Sequence, residues 1–282
     1  MIDLHLHTNM SDGSDSPLEL LQKVEEAGCR VFSVTDHDDL RANAIILDAL
    51  KSVSIRAKFV TGIEFSSVFE GRNLHLLCYG FDPNNELVKQ LVEDGRIGRH
   101  GRITAMFKHL QLKHGVVIPE KDKADILSRP IPGKVHIAEV ILRMNLVWTR
   151  QQIFDRLLND MESREFKVPA ERIIDVMQKV GGLTSVAHPI DIQNEYGLGI
   201  SELSQMIRSL KDRGLTALEV YHTNHNAQNV LDYARIANEC GLLVSGGSDY
   251  HGKNKDDIRI GILTAYGLSP EDSELTICGR FL

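Results

Sequence analysis

Near the start of the chain, Ile2-Asp3-Leu4-His5-Leu6-His7-Thr8 alternates apolar and polar residues before a loop, Ser11-Asp12-Gly13-Ser14. The alternation predicts a short strand. Residues two apart on a strand share a face, so His5 and His7 aim both imidazoles at one point. Two such nitrogens suit a metal at roughly 2.0–2.1 Å, and Asp12 can add an oxygen from the side. Taken alone, the pair could equally be two ordinary surface histidines. The rest of the chain repeats the pattern: acids and histidines recur at the ends of apolar runs. They are His37 within Asp36-His37-Asp38-Asp39, Glu64, His75, His188, and Asp249 with His251.

The elements that must position these residues read as alternating strands and helices. Ser16-Pro17 predicts a helix start, with serine as N-cap and proline at the first helical position, ending at Gly28. Strands are predicted at 30–35, 58–64 and 73–79, with a helix around 42–50 between the first two. After a break the rhythm resumes, with helices over 169–180, 200–213 and 227–240. Strands at 183–187, 217–221 and 242–245 then deliver His188, His222 with His225, and Gly246-Gly247-Ser248-Asp249. Strand and helix at this spacing predict a parallel sheet or barrel, whose strand ends gather on one face and build active sites there. Residues 84–167 break the rhythm with charged helical stretches (87–112, 134–144 and 150–161) and no convincing strand. They read as a helical insert between barrel halves 1–83 and 168–282. His100, His109 and His114 fall on a charged helical segment of it and read as unremarkable.

Composition narrows the function further. The chain has 282 residues, 42% of them hydrophobic, enough for one large domain with an insert. A formal charge of −7 argues against a surface for long nucleic acid. Cys29, Cys78, Cys240 and Cys278 are scattered without a Cys-x-x-Cys, which suggests a reducing compartment. Neither a signal peptide nor a membrane span is read, so the expected setting is cytoplasmic. Asp12, Glu64 and Asp249 bring three negative charges, whereas two or three divalent ions bring more positive charge than that. Such a cluster attracts an anion, with phosphate the obvious candidate.

His-Leu-His-Thr with Ser-Asp-Gly, Thr35-Asp36-His37-Asp38, Gly62-Ile63-Glu64, Ala187-His188-Pro189 and Gly247-Ser248-Asp249-Tyr250-His251-Gly252 resemble the PHP (polymerase and histidinol phosphatase) family of metal-dependent phosphoesterases. The resemblance spans 1–80 and 168–260. It implies a distorted (β/α)7 barrel with a trinuclear cluster of Mn, Fe or Zn. It further implies that His5, His7, Glu64 and Asp249 hold one metal, Asp12, His37 and His251 a second, and Glu64, His75 and His188 a third.

The insert and Glu219-Val220-Tyr221-His222-x-x-His225 also resemble stand-alone members acting on small nucleotides. These include 3′,5′-nucleoside bisphosphate and nucleoside monophosphate phosphatases. Where that subgroup shows Gly-Arg-Pro-His, this chain has Gly133-Lys134-Val135-His136, and lysine lacks arginine's bidentate fork. Lys134, His136, Arg102, Arg129 and His222 are therefore candidate substrate contacts, and His222 or His225 a candidate proton donor. The expected reaction is hydrolysis of a small nucleotide's phosphomonoester by a metal-bridging hydroxide. The alternatives are histidinol phosphate, 5′-3′ exonuclease action on short RNA, or a non-catalytic metal-binding module. A carboxylated-lysine amidohydrolase ranks last, since no lysine ends a ligand-bearing strand. Replacing His5 or Asp249 by Ala is expected to remove bound metal and activity together. Metal analysis and turnover check this, and full turnover by either variant would contradict the ligand set.

Overall fold

The computed structural model describes residues 1–144, 147–161 and 163–281. A few positions of the expected insert (145, 146 and 162) and residue 282 of the expected barrel lie outside them. The chain forms two compact units, Met1–Val92 with Pro169–Leu282, and Glu93–Val168. The division falls inside a helix, some residues beyond the expected start of the insert at 84. No helix among the described residues is long and apolar enough to cross a membrane.

In the first unit seven strands neighbour one another in chain order. They are β1 (Ile2–Leu6), β2 (Val31–Val34), β3 (Lys58–Phe69), β4 (Arg72–Tyr79), β5 (Leu183–Val186), β6 (Ala217–His222) and β7 (Leu243–Gly247). The ends of the sheet meet: His7 N–H donates to the Tyr250 carbonyl at 2.9 Å, and Asp249 N–H to the His5 carbonyl at 2.8 Å. The result is a nearly closed barrel. Leu4, Val31, Leu77 and Ala217 of the sheet share a buried cluster with Leu263 and Ile277. Helices α1 (Pro17–Glu26) and α2 (Arg41–Ala49) cover Leu6, Phe32 and Val34 through Leu20, Val24, Ala42 and Ile46. The start of α1 follows its sequence, since Ser16 Oγ accepts from Glu19 N–H and the Glu19 carboxylate accepts from Ser16 N–H.

One part departs from the expected parallel rhythm. β3 and β4 form an antiparallel hairpin, and β4 is antiparallel to β5 as well. The turn between them is Glu70-Gly71, both at positive φ, the conformation a two-residue hairpin needs. Glutamate is not a usual residue there, which hid the hairpin. Reversal also explains why His75 lies in the amino-terminal half of its strand. On a strand running the other way, that half reaches the rim where its neighbours present their carboxyl ends.

The second unit continues α3 (Glu86–His114) and adds α4 (Glu120–Ser128), α5 (Lys134–Arg143) and α6 (Arg150–Ile153), which runs on as a π turn over Phe154–Leu158. Their apolar faces share a core of Ile103, Phe107, Ile126, Ile141, Ile153 and Leu158. The helical character expected of 87–112 and 134–144 is seen. Glycines inside α3 have a packing reason: a Cβ on Gly98 would lie 2.0 Å from the Phe166 carbonyl oxygen.

Barrel closure depends on another close approach. A Cβ on Gly247 would stand 2.1 Å from His5 Cβ and 2.5 Å from its backbone nitrogen, neither of which can swing away. Gly247→Ala should therefore push β7 off β1 and cost about 1–3 kcal/mol, as overpacking commonly does. Urea denaturation checks the loss, and metal content should fall with it because the shift moves His5.

Candidate metal centre

The barrel rim gathers all nine expected ligands around one carboxylate. Glu64 is 1% exposed. Its Oε2 lies 3.3 Å from His5 Nε2, 3.2 Å from His7 Nε2 and 3.1 Å from His37 Nδ1. Its Oε1 lies 2.9 Å from His75 Nδ1 and 3.0 Å from His188 Nε2. Asp249 Oδ1 stands 3.5 Å from His5 Nε2 and 3.2 Å from His7 Nε2. Asp12 completes the rim, 3.2 Å from His251 Nε2 and 3.6 Å from both His7 Nδ1 and His37 Nε2.

These contacts have the character of a metal site. Among the described residues, His5 Nε2, both nitrogens of His7, His37 Nδ1 and Glu64 Oε2 are buried without a hydrogen-bond partner. Buried polar atoms are rarely left so. Imidazole nitrogens and carboxylate oxygens facing one another suit divalent ions that take nitrogen and oxygen ligands. The electrostatics agree. Burial disfavours an imidazolium, yet Asp249 and Glu64 carry His7 up to about 9, and Asp191 and Glu64 carry His188 up to about 10. At His37 burial prevails and pushes the imidazole down to about 3. Burial would lift the Glu64 carboxyl, but the surrounding histidines hold it well below the usual range. The carboxylates demand positive charge, and divalent ions supply it without burying several imidazolium ions.

Residues that sequence reasoning missed hold the ligands in place. Glu219 is fully buried. Its Oε1 faces His5 Nδ1 at 3.0 Å, and its Oε2 accepts from the His188 N–H at 2.6 Å. The first contact fixes the proton on Nδ1 and leaves the Nε2 lone pair for the cluster, a second carboxylate orienting a ligand histidine. The second supports a strained backbone, since His188 sits at φ +24. Asp36 accepts from Thr8 N–H, Thr8 Oγ1 and Ser11 Oγ, tethering the loop that carries Asp12. Asp3 accepts from Ser248 N–H and Gly261 N–H beside Asp249. Each is an acid inside or just after a strand. Buried acids there could have been flagged from the pattern, but their partners could not.

The other candidates divide. His222 is buried, with Nε2 3.6 Å from Asp249 Oδ2. Its Nδ1 accepts from Asn224 N–H at 3.1 Å, so the neutral ring carries its proton on Nε2, toward the cluster. His225 packs behind it, Nδ1 against the Val220 carbonyl at 2.8 Å and its ring against Tyr233. Burial pushes His225 down to about 3, which keeps its ring neutral. Lys255, not expected, places Nζ 2.5 Å from Asp249 Oδ2.

In the second unit, Lys134 Nζ donates to Asn159 Oδ1, and His136 Nδ1 accepts from Gly133 N–H at the start of α5. Arg129 pairs with Asp125 at 3.3 Å. Arg129 and His136 share a cavity of ~390 Å³ lined by α4 and α5 residues. Arg102 is half-buried.

Glu219→Gln keeps the shape and loses the charge. It should weaken metal affinity by about 10–100-fold and leave the fold intact, which metal titration with a circular-dichroism melt would show.

Comparison with known proteins agrees with this geometry. Residues 3–114 match the family model of the PHP domain. A 5′-3′ exoribonuclease of Haemophilus influenzae is 29% identical over 266 residues, 90% of this chain and 94% of its own length. A 3′,5′-nucleoside bisphosphate phosphatase of Chromobacterium violaceum is 24% identical over 261 residues, 89% of this chain and 87% of its own. A solved structure from Bifidobacterium adolescentis, assigned as a metal-dependent phosphoesterase, superposes with a TM-score of 0.77 at 25% identity, covering 99% of this chain and 96% of that one. With its candidate ligand motifs converged on one barrel rim, the chain is similar to PHP-domain proteins over residues 3–114 and, over nearly its whole length, to a metal-dependent phosphoesterase fold.

Proposed function

We propose that this protein hydrolyses a terminal phosphate ester of a small nucleotide at the barrel rim, using two or three divalent ions (Mn, Fe or Zn). The observation that carries this reading is the convergence of His5, His7, His37, His75 and His188 on the buried Glu64 carboxylate. When bound, such ions act as Lewis acids, polarise the phosphoryl oxygens and acidify water. Glu64, Asp249 and Asp12 fix their positions, and Glu219 and Asp191 keep His5 and His188 turned toward them. His222 directs an N–H at the Asp249 side of the cluster, where it donates a hydrogen bond to a phosphoryl oxygen. Lys255 adds a cation at the same rim and draws the substrate anion in.

We further propose that Arg102, Arg129, Lys134 and His136 are substrate contacts. Supporting this are their charges and the cavity shared by Arg129 and His136. The free, buried cysteines support a cytoplasmic setting. A second reading, 5′-3′ trimming of short RNA, is favoured by the Haemophilus influenzae relative. It uses the same rim but breaks a phosphodiester between nucleotides, releasing a nucleotide, in place of a terminal phosphomonoester.

A phosphate- and nucleotide-release screen of the metal-reconstituted protein separates the readings. It compares nucleoside bisphosphates, nucleoside monophosphates, histidinol phosphate and 5′-phosphorylated oligonucleotides. Release from the small nucleotides is expected, whereas turnover confined to oligonucleotides would select the exonuclease, and turnover of none would remove the proposal. His222→Asn should lower kcat by about 10²–10³-fold, the usual worth of one hydrogen-bond donor to a developing oxyanion, with metal content unchanged. Lost metal in that variant would instead make His222 a ligand.

A further inference from the structure

A second group of metal-binding side chains lies wholly within the second unit and shares no residue with the barrel cluster. His109 and His114 stand in the last stretch of α3, and Asp160 follows the π turn. His109 Nε2 is 2.7 Å from Asp160 Oδ1, and His114 Nε2 is 2.9 Å from Asp160 Oδ2. The two rings meet edge to face with centroids 5.4 Å apart. One donor atom from each of the three lies within 4.8 Å of the others. The arrangement repeats in miniature that of the barrel rim, where imidazole nitrogens face carboxylate oxygens at 2.9–3.6 Å.

We propose that His109, His114 and Asp160 form an independent site for a borderline divalent ion such as zinc, bracing the end of α3 against the segment after α6. Two imidazoles and one carboxylate are the protein share of an open transition-metal site, with the remaining positions left to water. The donors are accessible without being loose: the side chains of His109, His114 and Asp160 are 18%, 17% and 27% exposed. A competitor is present, because Lys113 Nζ reaches the same Asp160 Oδ2 at 2.7 Å. Lys113 is 55% exposed on a flexible stem, so its ammonium can turn to water when an ion arrives. The alternative is a lysine ion pair with two histidine hydrogen bonds on one aspartate, which predicts no response to zinc.

The test is equilibrium dialysis of the full-length protein against Zn²⁺, with zinc per chain measured in wild type, His114→Gln, Asp160→Asn and Lys113→Ala. Wild type should hold one zinc more than His114→Gln or Asp160→Asn. Lys113→Ala should bind that additional zinc several-fold more tightly, since the competing cation is gone. Phosphoesterase turnover with the barrel ions saturating should stay within about twofold of wild type in all variants, so that this test is read apart from the barrel chemistry. Equal zinc content in wild type and both ligand variants would overturn the proposal. Should those two variants fail to fold, as a melt recorded without zinc would reveal, Lys113→Ala decides alone: tighter zinc binding supports the site, and unchanged binding rejects it.

Discussion

The barrel is organised around the demand made by one buried carboxylate. Removing an ionised Glu64 from water costs several kcal/mol unless opposite charge and hydrogen bonding repay it. Among the described residues no lysine or arginine does so directly; five imidazoles from four strands or strand ends do. Imidazole is itself costly to bury as a cation, and His37 shows how far burial can push such a ring toward neutrality. A neutral ring that turns its lone pair toward an anion needs positive charge between the two, and divalent ions are a compact form of it.

This constraint passes outward to a ring of buried acids that hold the ligands. Glu219 joins a histidine on β1 to the backbone after β5. Asp3 joins β1 to the segment after β7, and Asp36 joins the turn after β2 to the loop after β1. Each ties together two segments that bear ligands, so the cluster's geometry is set by the barrel's closure and not by any one loop. Strain collects at the same places: three of the four non-glycine residues with positive φ among the described residues are Asp38, His188 and Asp249. Such conformations persist where surrounding bonds over-determine them. The 2.6 Å contact from His188 N–H to Glu219 is one such bond.

The candidate ligands could be picked out in the sequence because metal binding confines them to a few residue types, and the strand ends fix their spacing. The turn of β3 into β4 was not, because its Glu70-Gly71 pair lacks the usual asparagine or aspartate. A parallel rhythm was therefore expected where the chain doubles back. His75 survived that error, since reversing the strand and shifting the ligand to its other half leave the side chain at the same rim. Glu219 was quoted as part of a motif without a role: an acid inside an apolar strand announces burial but not its partners, which lie 214 and 31 residues away. His109 and His114 read as bland for a related reason. Five residues apart on a helix, they share no obvious face until Asp160 arrives from another segment.

His222 and His225 show why residue type alone does not assign chemistry. Both follow one strand, both are buried, and their rings lie 5.2 Å apart. The difference is in which nitrogen the backbone claims. Val220 offers a carbonyl to His225 Nδ1, so the proton of that neutral ring sits on the backbone side. Asn224 offers an N–H to His222 Nδ1, so the proton of that ring must sit on Nε2, toward Asp249. A ring that presents N–H to a cluster of lone-pair donors is a poor ligand and a good hydrogen-bond donor. His5, at nearly the same depth, is the reverse case, because Glu219 holds its Nδ1 proton and frees Nε2. Which nitrogen each of these histidines turns toward the rim, lone pair or N–H, is thus set by single backbone and carboxylate contacts one layer behind it.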